Sequence, residues 1–392
     1  MRRLLKILAL VVLAVVLLGA VFFFTLAGSI TDSSMNTIAE GPLPAVSDET
    51  RALHEGLVIA DMHADSLLWS RDPLVRHDRG HVDVPRLIAG NVALQVFSAV
   101  TKSPWGLNYQ ENEGGSDSIT LLVMGQRWPL ATWSSLKARA LYQAERLHRA
   151  ADDSDGKLTV IHSVAELDAF LRRRAEEPDI VAGMLAIEGL HAMEAKLENL
   201  DELYEAGYRM MAATHFFDNA VSGSAHGVER GGLTELGRAV TERMEALGVV
   251  VDLAHVSPRA IDEILAMVTR PVVVSHTGVK ATCDGPRNLS DEQIRAIAKT
   301  GGVIGIGYWP GAVCDVEPAA IVRAMRHVVE LVGVEHVGLG SDFDGTVHTS
   351  FDTTGLDQLT EALRTDGFSD ADIAAIMGGN VIRVLRQTLP KQ

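Results

Sequence analysis

Residues 249–276 read VVVDLAHVSPRAIDEILAMVTRPVVVSH. Two short apolar runs, Val249–Ala254 and Val272–Val274, end on His255 and on Ser275-His276. Between them, Ser257-Pro258 offers a helix N-cap followed by proline at the first helical position, where its missing N–H leaves no bond unmade. Short continuous apolar runs fit strands buried on both faces, as in a parallel sheet whose crossovers are helices. The stretch therefore reads strand–helix–strand, with an ionisable residue at the C-terminal end of each strand.

The same pattern recurs on both sides. Val58–Ala60 ends at Asp61, His63 and Asp65; Val92–Val100 ends near Thr101; Ile180–Ile187 ends at Glu188; Tyr208–Ala213 ends at Thr214-His215. Downstream, Gly302–Gly307 ends at Tyr308 and Val337–Gly340 ends at Asp342, which makes eight runs. Helical signals lie between them. Leu236, Val240, Met244 and Leu247 share one face before Gly248, placed as a left-handed stop. Ser290 and Gln293 form a capping box, with Leu289 and Ile294 spaced as a hydrophobic staple. Ser369 opens a last helix closed near Gly378-Gly379, where Gly378, Gly379 and Asn380 read as cap and turn residues. Eight alternations predict an α/β fold, a (β/α)8 TIM-type barrel, whose chemistry sits at the C-terminal strand ends. A doubly wound open sheet is the alternative. The second-to-third connection, Lys102–Asp179, is long enough for extra helices and a small ribbon.

The N-terminus is of another kind. Arg2, Arg3 and Lys6 precede an uncharged run, Ile7–Gly28, of 22 residues. That length crosses a ~30 Å hydrocarbon core at ~1.5 Å per residue, whereas the apolar part of a cleaved signal peptide is about 7–15 residues long. Residues 1–28 are expected to be a cytoplasmic stub and a single-pass transmembrane signal-anchor, with cleavage near Leu26-Ala27-Gly28 as the alternative. Basic residues before the run place the body outside the cytoplasm, periplasmic or extracellular. Residues 29–50 read as a linker, 51–388 as one barrel domain and 389–392 as a tail.

Composition narrows the function. The chain has 392 residues, 35 basic and 51 acidic, for a net charge of −16. With three of the basic residues before the run, the remainder carries −19. An acidic body argues against nucleic-acid binding, which needs a basic face to displace counterions. A 47 % hydrophobic content and a mean hydropathy of +0.13 exclude disorder. Two cysteines exclude a disulfide-dense scaffold and a Cys-rich zinc module. There is no phosphate loop, no H-E-x-x-H and no G-x-S-x-G elbow.

The chemistry-bearing residues are those at the strand ends. His63 and Asp65 form an H-x-D pair whose period-two spacing sends both side chains to the same side of a strand. With Glu188, His255 and His276 they make a donor set suited to Zn²⁺. Five ligands exceed the usual three of one catalytic zinc. Two Zn²⁺ per chain, bridged by Glu188 and by a water or hydroxide, is the economical arrangement.

Seven segments then resemble the membrane (renal-type) dipeptidases, zinc hydrolases related to the amidohydrolase barrels. They are DMHADSLLW from Asp61, LAIEGLHAM from Leu185, ATHFFDNA from Ala213, VDLAHVSPRA from Val251, SHTGVKATCDGPRN from Ser275, VGLGSDFDG from Val337 and GGNVIRVL from Gly378. The resemblance spans about residues 51–388. It implies that His63 and Asp65 bind one zinc, that His255 and His276 bind the other, and that Glu188 bridges them. It implies Asp342 as the catalytic acid/base, His215 as the group contacting the substrate carbonyl, and Arg287 as the clamp on the substrate carboxylate. Asn288 and Tyr308 are expected as further substrate-binding residues, Asp61 near the pocket or behind it, and Asp344 behind Asp342. The ten other histidines are assigned structural or surface roles, His226 being the one placed near the pocket. Cys283 falls where the family has a disulfide cysteine, and an exported body permits a bridge to Cys314. The substrates implied are dipeptides, and related enzymes are often dimers, so a homodimer is part of what the resemblance implies. The alternatives are a dizinc amidohydrolase acting on a lactam, lactone or cyclic amide, and a non-catalytic peptide-binding protein.

Overall fold

The eight apolar runs form eight parallel strands: β1 (Ile59–Ala64), β2 (Val92–Val100), β3 (Val181–Glu188), β4 (Tyr208–Ala212), β5 (Val250–Asp252), β6 (Val273–Thr277), β7 (Val303–Ile306) and β8 (Val337–Leu339). Each pairs with its sequence neighbours, and β8 pairs with β1 through Leu339 and Asp61. The sheet therefore closes into a TIM-type barrel in this computed structural model, which describes residues 1–392. Every residue of β2 and β3 is buried, because the sheet has its own interior on one side and helices on the other. The interior is tight. A Cβ on Gly305 would collide with the Ser275 carbonyl oxygen of the neighbouring strand, so glycine there permits the close approach of β7 and β6.

The helix signals are realised at their caps. Thr234 accepts from Gly237 N, and Gly248 closes that helix with φ 72°. Ser257 accepts from Ala260 N ahead of Pro258, and Ser290 with Gln293 forms the reciprocal capping box.

Three expectations are corrected. Gly378-Gly379 does not end the last helix: the chain kinks there and a further helix runs Asn380–Thr388. The glycine is required by close approach, since a Cβ on Gly378 would lie 2.1 Å from Val58 O. Asn380 then donates to Val334 O and Val337 O, both at 2.8 Å, and ties this helix to the start of β8. The long β2–β3 connection holds helices and, in place of a ribbon, one short strand, Leu158–Val160, parallel to β3. Finally, residues 29–50 are not a free linker. The N-terminal helix continues to Met35, and Asp32 on it is buried against Arg71 and Arg79, Oδ2 lying 3.0 Å from each Nε. Thr37–Ile38 then pairs with His348–Thr349. An acid that finds two guanidinium partners docks the segment that composition alone read as a tether. Residues 2–22, by contrast, have no buried side chain, and the helix is long and apolar enough to cross a membrane.

Candidate metal centre and catalytic pocket

The C-terminal ends of β1, β3, β4, β5, β6 and β8 bring His63, Asp65, Glu188, His215, His255, His276 and Asp342 into one buried cluster. Glu188 is at its centre. Its Oε1 lies 2.9 Å from His255 Nε2, 3.2 Å from His276 Nε2 and 3.7 Å from His63 Nε2, while Oε2 lies 3.3 Å from His215 Nε2. His63 Nε2 also faces Asp65 Oδ1 at 3.3 Å and Asp342 Oδ1 at 3.8 Å. The Nε2 atoms of His255 and His276 are 3.1 Å apart.

Backbone and neighbouring groups fix these side chains. Asp61 accepts from His63 N (2.9 Å) and Gln95 Nε2 (3.2 Å) on one oxygen and from Ser341 N (3.1 Å) on the other. It thereby joins β1, β2 and the turn after β8, and burial raises its carboxyl pKa. Asp252 does the same one layer round, accepting from Ala254 N and Ser275 N. Ser275 Oγ lies 2.9 Å from His276 Nδ1, which turns Nε2 toward the cluster. His255 (φ 61°) and Asp342 (φ 60°) both hold left-handed backbone, a costly conformation for such residues and one that clusters at functional sites.

The electrostatics show a surplus of negative charge. Burial alone would depress His63, but Glu188, Asp65 and Asp342 outweigh it and hold the imidazole up at about 10. Burial and the nearby Asp65 push Glu188 well above the usual carboxylate range, and burial pushes Asp342 up to about 8. His215, His255 and His276 are driven down by burial and by neighbouring cationic groups, which leaves them neutral. His63 Nε2 and Asp65 Oδ1 are buried without a hydrogen-bond partner. Neutral imidazoles and unpartnered carboxylate oxygens converging on shared points are what divalent cations of the zinc type require.

A cavity of about 180 Å³ opens over the cluster. Asp65, Glu188, His215, His255, His276, Arg287 and Asp342 line it, together with Tyr109, Phe216 and Trp309. Arg287 is buried and donates to the carbonyl oxygen of His276, so its fork is fixed beside the cluster.

Two expected pocket residues lie elsewhere. Tyr308 is fully buried with its ring against Phe343 and Phe351, and it is Trp309 that reaches the cavity. Asn288 accepts from Gly278 N and donates to the carbonyls of Cys283, Gly311 and Ala312. It locks two loops that the Cys283–Cys314 disulfide also joins, with Cα atoms 5.4 Å apart. His226 stacks on Phe216 and bonds Tyr109 O, one layer behind the cavity wall. Asp344 is fully buried at the edge of the cavity lining and ion-paired to Arg71 at 2.8 Å.

Tyr109 carried no sequence signal. It lies in an irregular loop of the β2–β3 connection and is positioned only in space, where Trp309 Nε1 donates to its hydroxyl at 2.8 Å. Burial and the nearby Asp342 hold that phenol up at about 12, so it is a neutral hydrogen-bonding group at neutral pH.

A closed parallel barrel with histidines and carboxylates converging at its C-terminal mouth defines a metal-dependent hydrolase. The chain belongs to the membrane dipeptidase family, peptidase family M19, whose model matches residues 47–391. It is 28 % identical over 348 residues to dipeptidase aclJ of Aspergillus oryzae, covering 83 % of this chain and 77 % of that one. Its fold is similar to the probable dipeptidase PvdM from Pseudomonas aeruginosa, with a TM-score of 0.72 and 20 % identity over 87 % of this chain and 97 % of that one. It is also similar to a metallopeptidase from Rhodobacter sphaeroides liganded with a phosphinate mimic of the dipeptide L-Ala-D-Ala. There the TM-score is 0.69 and the identity 23 %, over 85 % of this chain and 99 % of that one.

Proposed function

We propose that this enzyme is a dizinc dipeptidase held at a membrane by its N-terminal helix, with the barrel on the extracytoplasmic side. The observation that supports the metal assignment is Glu188, whose buried Oε1 faces the Nε2 atoms of His63, His255 and His276 together while its Oε2 faces His215. His63 and Asp65 would hold one zinc, His255 and His276 the second, and Glu188 would contact both. Two zinc ions bound there supply water ionisable near neutral pH and polarise the scissile carbonyl.

The remaining steps belong to the chain's own groups. Asp342, at the cavity edge and 3.8 Å from His63, accepts a proton from the attacking water and returns it to the leaving amine. Neutral His215 faces the cavity and donates to the carbonyl oxygen as charge develops on it, an interaction typically worth ~3–4 kcal/mol. Arg287 clamps the free carboxylate of the substrate, which its planar fork can bond bidentately. Tyr109, Phe216 and Trp309 wall off the cavity, and its small volume favours two-residue substrates over longer chains.

The N-terminal assignment rests on the apolar length of the helix and on Arg2, Arg3 and Lys6 before it. The test is metal content measured together with dipeptide kinetics on the full chain in micelles, as isolated, after chelation and after zinc addition. Turnover that disappears and returns with two equivalents of zinc is expected. Absence of metal-dependent cleavage of any dipeptide overturns the reading.

A further inference from the structure

A second, larger cavity of about 480 Å³ adjoins the catalytic one. Leu68, Ser103, Leu107, Ile119 and Thr346 line both, so the two spaces share a wall and a rim. The far side of the larger cavity is made by the N-terminal helix, through Phe23, Ala27, Gly28, Thr31 and Met35. These positions straddle the end of the apolar run Ile7–Gly28. At ~1.5 Å per residue that run spans about 33 Å, so its last turn, Phe23–Gly28, lies at the outer face of a ~30 Å hydrocarbon core. The cavity therefore begins where the helix leaves the bilayer and ends at the catalytic groups.

The wall is firmly built. A Cβ on Gly125 would lie 3.2 Å from Phe23 O, and one on Gly28 would lie 2.9 Å from the Gln126 side chain, so helix and mouth loop approach closely. Asp32, bonded to Arg71 and Arg79, pins the same helix end one turn further on. The helix also widens into a π turn over Phe23–Ala27, a distortion frequent at functional sites, and both end residues of that turn line the cavity. Trp105 and Leu121, on the opposite wall, are 58 % and 48 % exposed. Large apolar side chains left open beside a membrane helix mark a face turned toward the bilayer.

We propose that this chamber is a subsite for an apolar chain carried by the substrate, and that the enzyme takes amphiphilic dipeptides, bearing an alkyl or acyl chain on one residue, from the bilayer surface. The inference rests on the dipeptidase and membrane-span readings above and adds the substrate class. The peptide end enters the catalytic cavity, while the chain lies between the N-terminal helix and the Trp105–Leu121 wall. Both parts stay out of water.

The test uses the full chain in micelles, with zinc-loaded enzyme and two series of dipeptides. One series carries a lengthening linear alkyl side chain on the first residue and the other on the second. In one of the two, kcat/KM referred to the concentration of substrate free in water is expected to rise by about four-fold per added methylene, the equivalent of ~0.8 kcal/mol per buried CH2. Ala27→Trp, which fills the chamber, and Leu121→Glu, which charges its rim, should each flatten that rise and leave kcat/KM for Ala-Ala within two-fold of wild type. Binding of the longest alkyl dipeptide to Asp342→Asn, followed by the part of the emission that Trp105→Phe removes, gives a readout independent of turnover. A blue shift that Leu121→Glu abolishes is expected.

Flat slopes in both series with active enzyme overturn the chamber assignment and leave the dipeptidase reading intact. A rise that survives both substitutions, or Trp105 emission that ignores the ligand, also overturns it, as does a lipid chain that stays in the chamber while substrate turns over. No cleavage of Ala-Ala under any metal condition strikes the dipeptidase reading, and the emission experiment then still decides the chamber.

Discussion

Asp32→Asn probes how the membrane-proximal helix end is coupled to the catalytic loop. Asp32 Oδ2 lies 3.0 Å from the Nε atoms of both Arg71 and Arg79, and Arg71 reaches on to Asp344 Oδ2 at 2.8 Å. Asn36, bonded to Asp32 Oδ1, accepts from Thr346 N at 2.9 Å. The helix end thus supports residues 344–346, immediately after Asp342. Removing one partner of a buried pair typically costs ~3–5 kcal/mol, because the other charge is left uncompensated. Here Arg71 keeps Asp344 and the Val82 carbonyl, and Arg79, with a side chain 24 % exposed, can turn to water. The expected loss is therefore about 2 kcal/mol, below that range. Spread over the opening of this loop, it raises the exchange rate of the amides of residues 344–346 by about 30-fold. Arg71→Ala takes one partner from each of two buried carboxylates, Asp32 and Asp344, and should cost the full ~3–5 kcal/mol. Hydrogen exchange with mass spectrometry on the full chain in micelles measures both. Wild-type exchange rates at 344–346 in Asp32→Asn, or equal losses for the two variants, refute the shared-arginine argument.

Four further outcomes follow from the geometry. Asp342→Asn should keep its metal, read by elemental analysis, and lose about 10²–10⁴-fold in kcat, the range for removal of a general acid/base; a rate near wild type removes Asp342 from that role. Glu188→Gln should weaken zinc binding in both halves of the centre by more than the ~10–100-fold typical of an outer-shell change, and two equivalents bound as tightly as in wild type would show that it bridges nothing. Reducing the Cys283–Cys314 bridge, which closes a separation of 31 residues, should lower stability by ~3–4 kcal/mol on the chain-entropy account; an unchanged thermal midpoint after reduction contradicts this. Arg71 and His81 outweigh burial and hold Asp344 far below the usual carboxylate range. Its stabilising contribution is therefore present above its unfolded pKa of ~3.9 and is lost as pH falls below that, because the unfolded state then binds the extra proton. Asp344→Asn should flatten the acid limb of a stability–pH curve, and a limb of unchanged steepness would assign acid lability to other groups.

The barrel was legible because each strand is a continuous apolar run, and parallel strands buried on both faces leave no other pattern. The convergence of these side chains was legible because strand ends point one way, so His63, Glu188, His255, His276 and Asp342 had to meet if the runs closed into a barrel. What failed was local. Tyr308 and Trp309 are adjacent aromatics, and which one faces the cavity is set by the bend after β7, about which the residue types say nothing. Asn288 beside Arg287 reads as a pocket residue until its amide is seen closing two loops. Tyr109 lies in a stretch without periodicity, so only the fold brings it to Trp309. Residues 29–35 are small and polar, the composition of a linker, and the partners that dock Asp32 lie some forty residues away.

The charge distribution gives the acidic composition a local meaning. Three carboxyl groups, Asp65, Glu188 and Asp342, are buried within 3.8 Å of the His63 imidazole. Arg287 lowers Glu188 and Asp342 from the cavity wall, where one guanidinium nitrogen is held by the His276 carbonyl. A protein selecting for stability alone would replace such a cluster with apolar residues of similar volume, since isolated buried charges are costly. This chain instead braces the cluster from outside, with Asp61 across β1, β2 and β8 and with Asp252 across β5 and β6. Rigid support around an undercompensated anionic centre is the arrangement in which divalent cations add to folding stability as they bind, because their ligands are already in place and cannot relax apart. Holding the donors in place also holds Asp342, on its left-handed backbone, at the edge of the space where the scissile amide must lie.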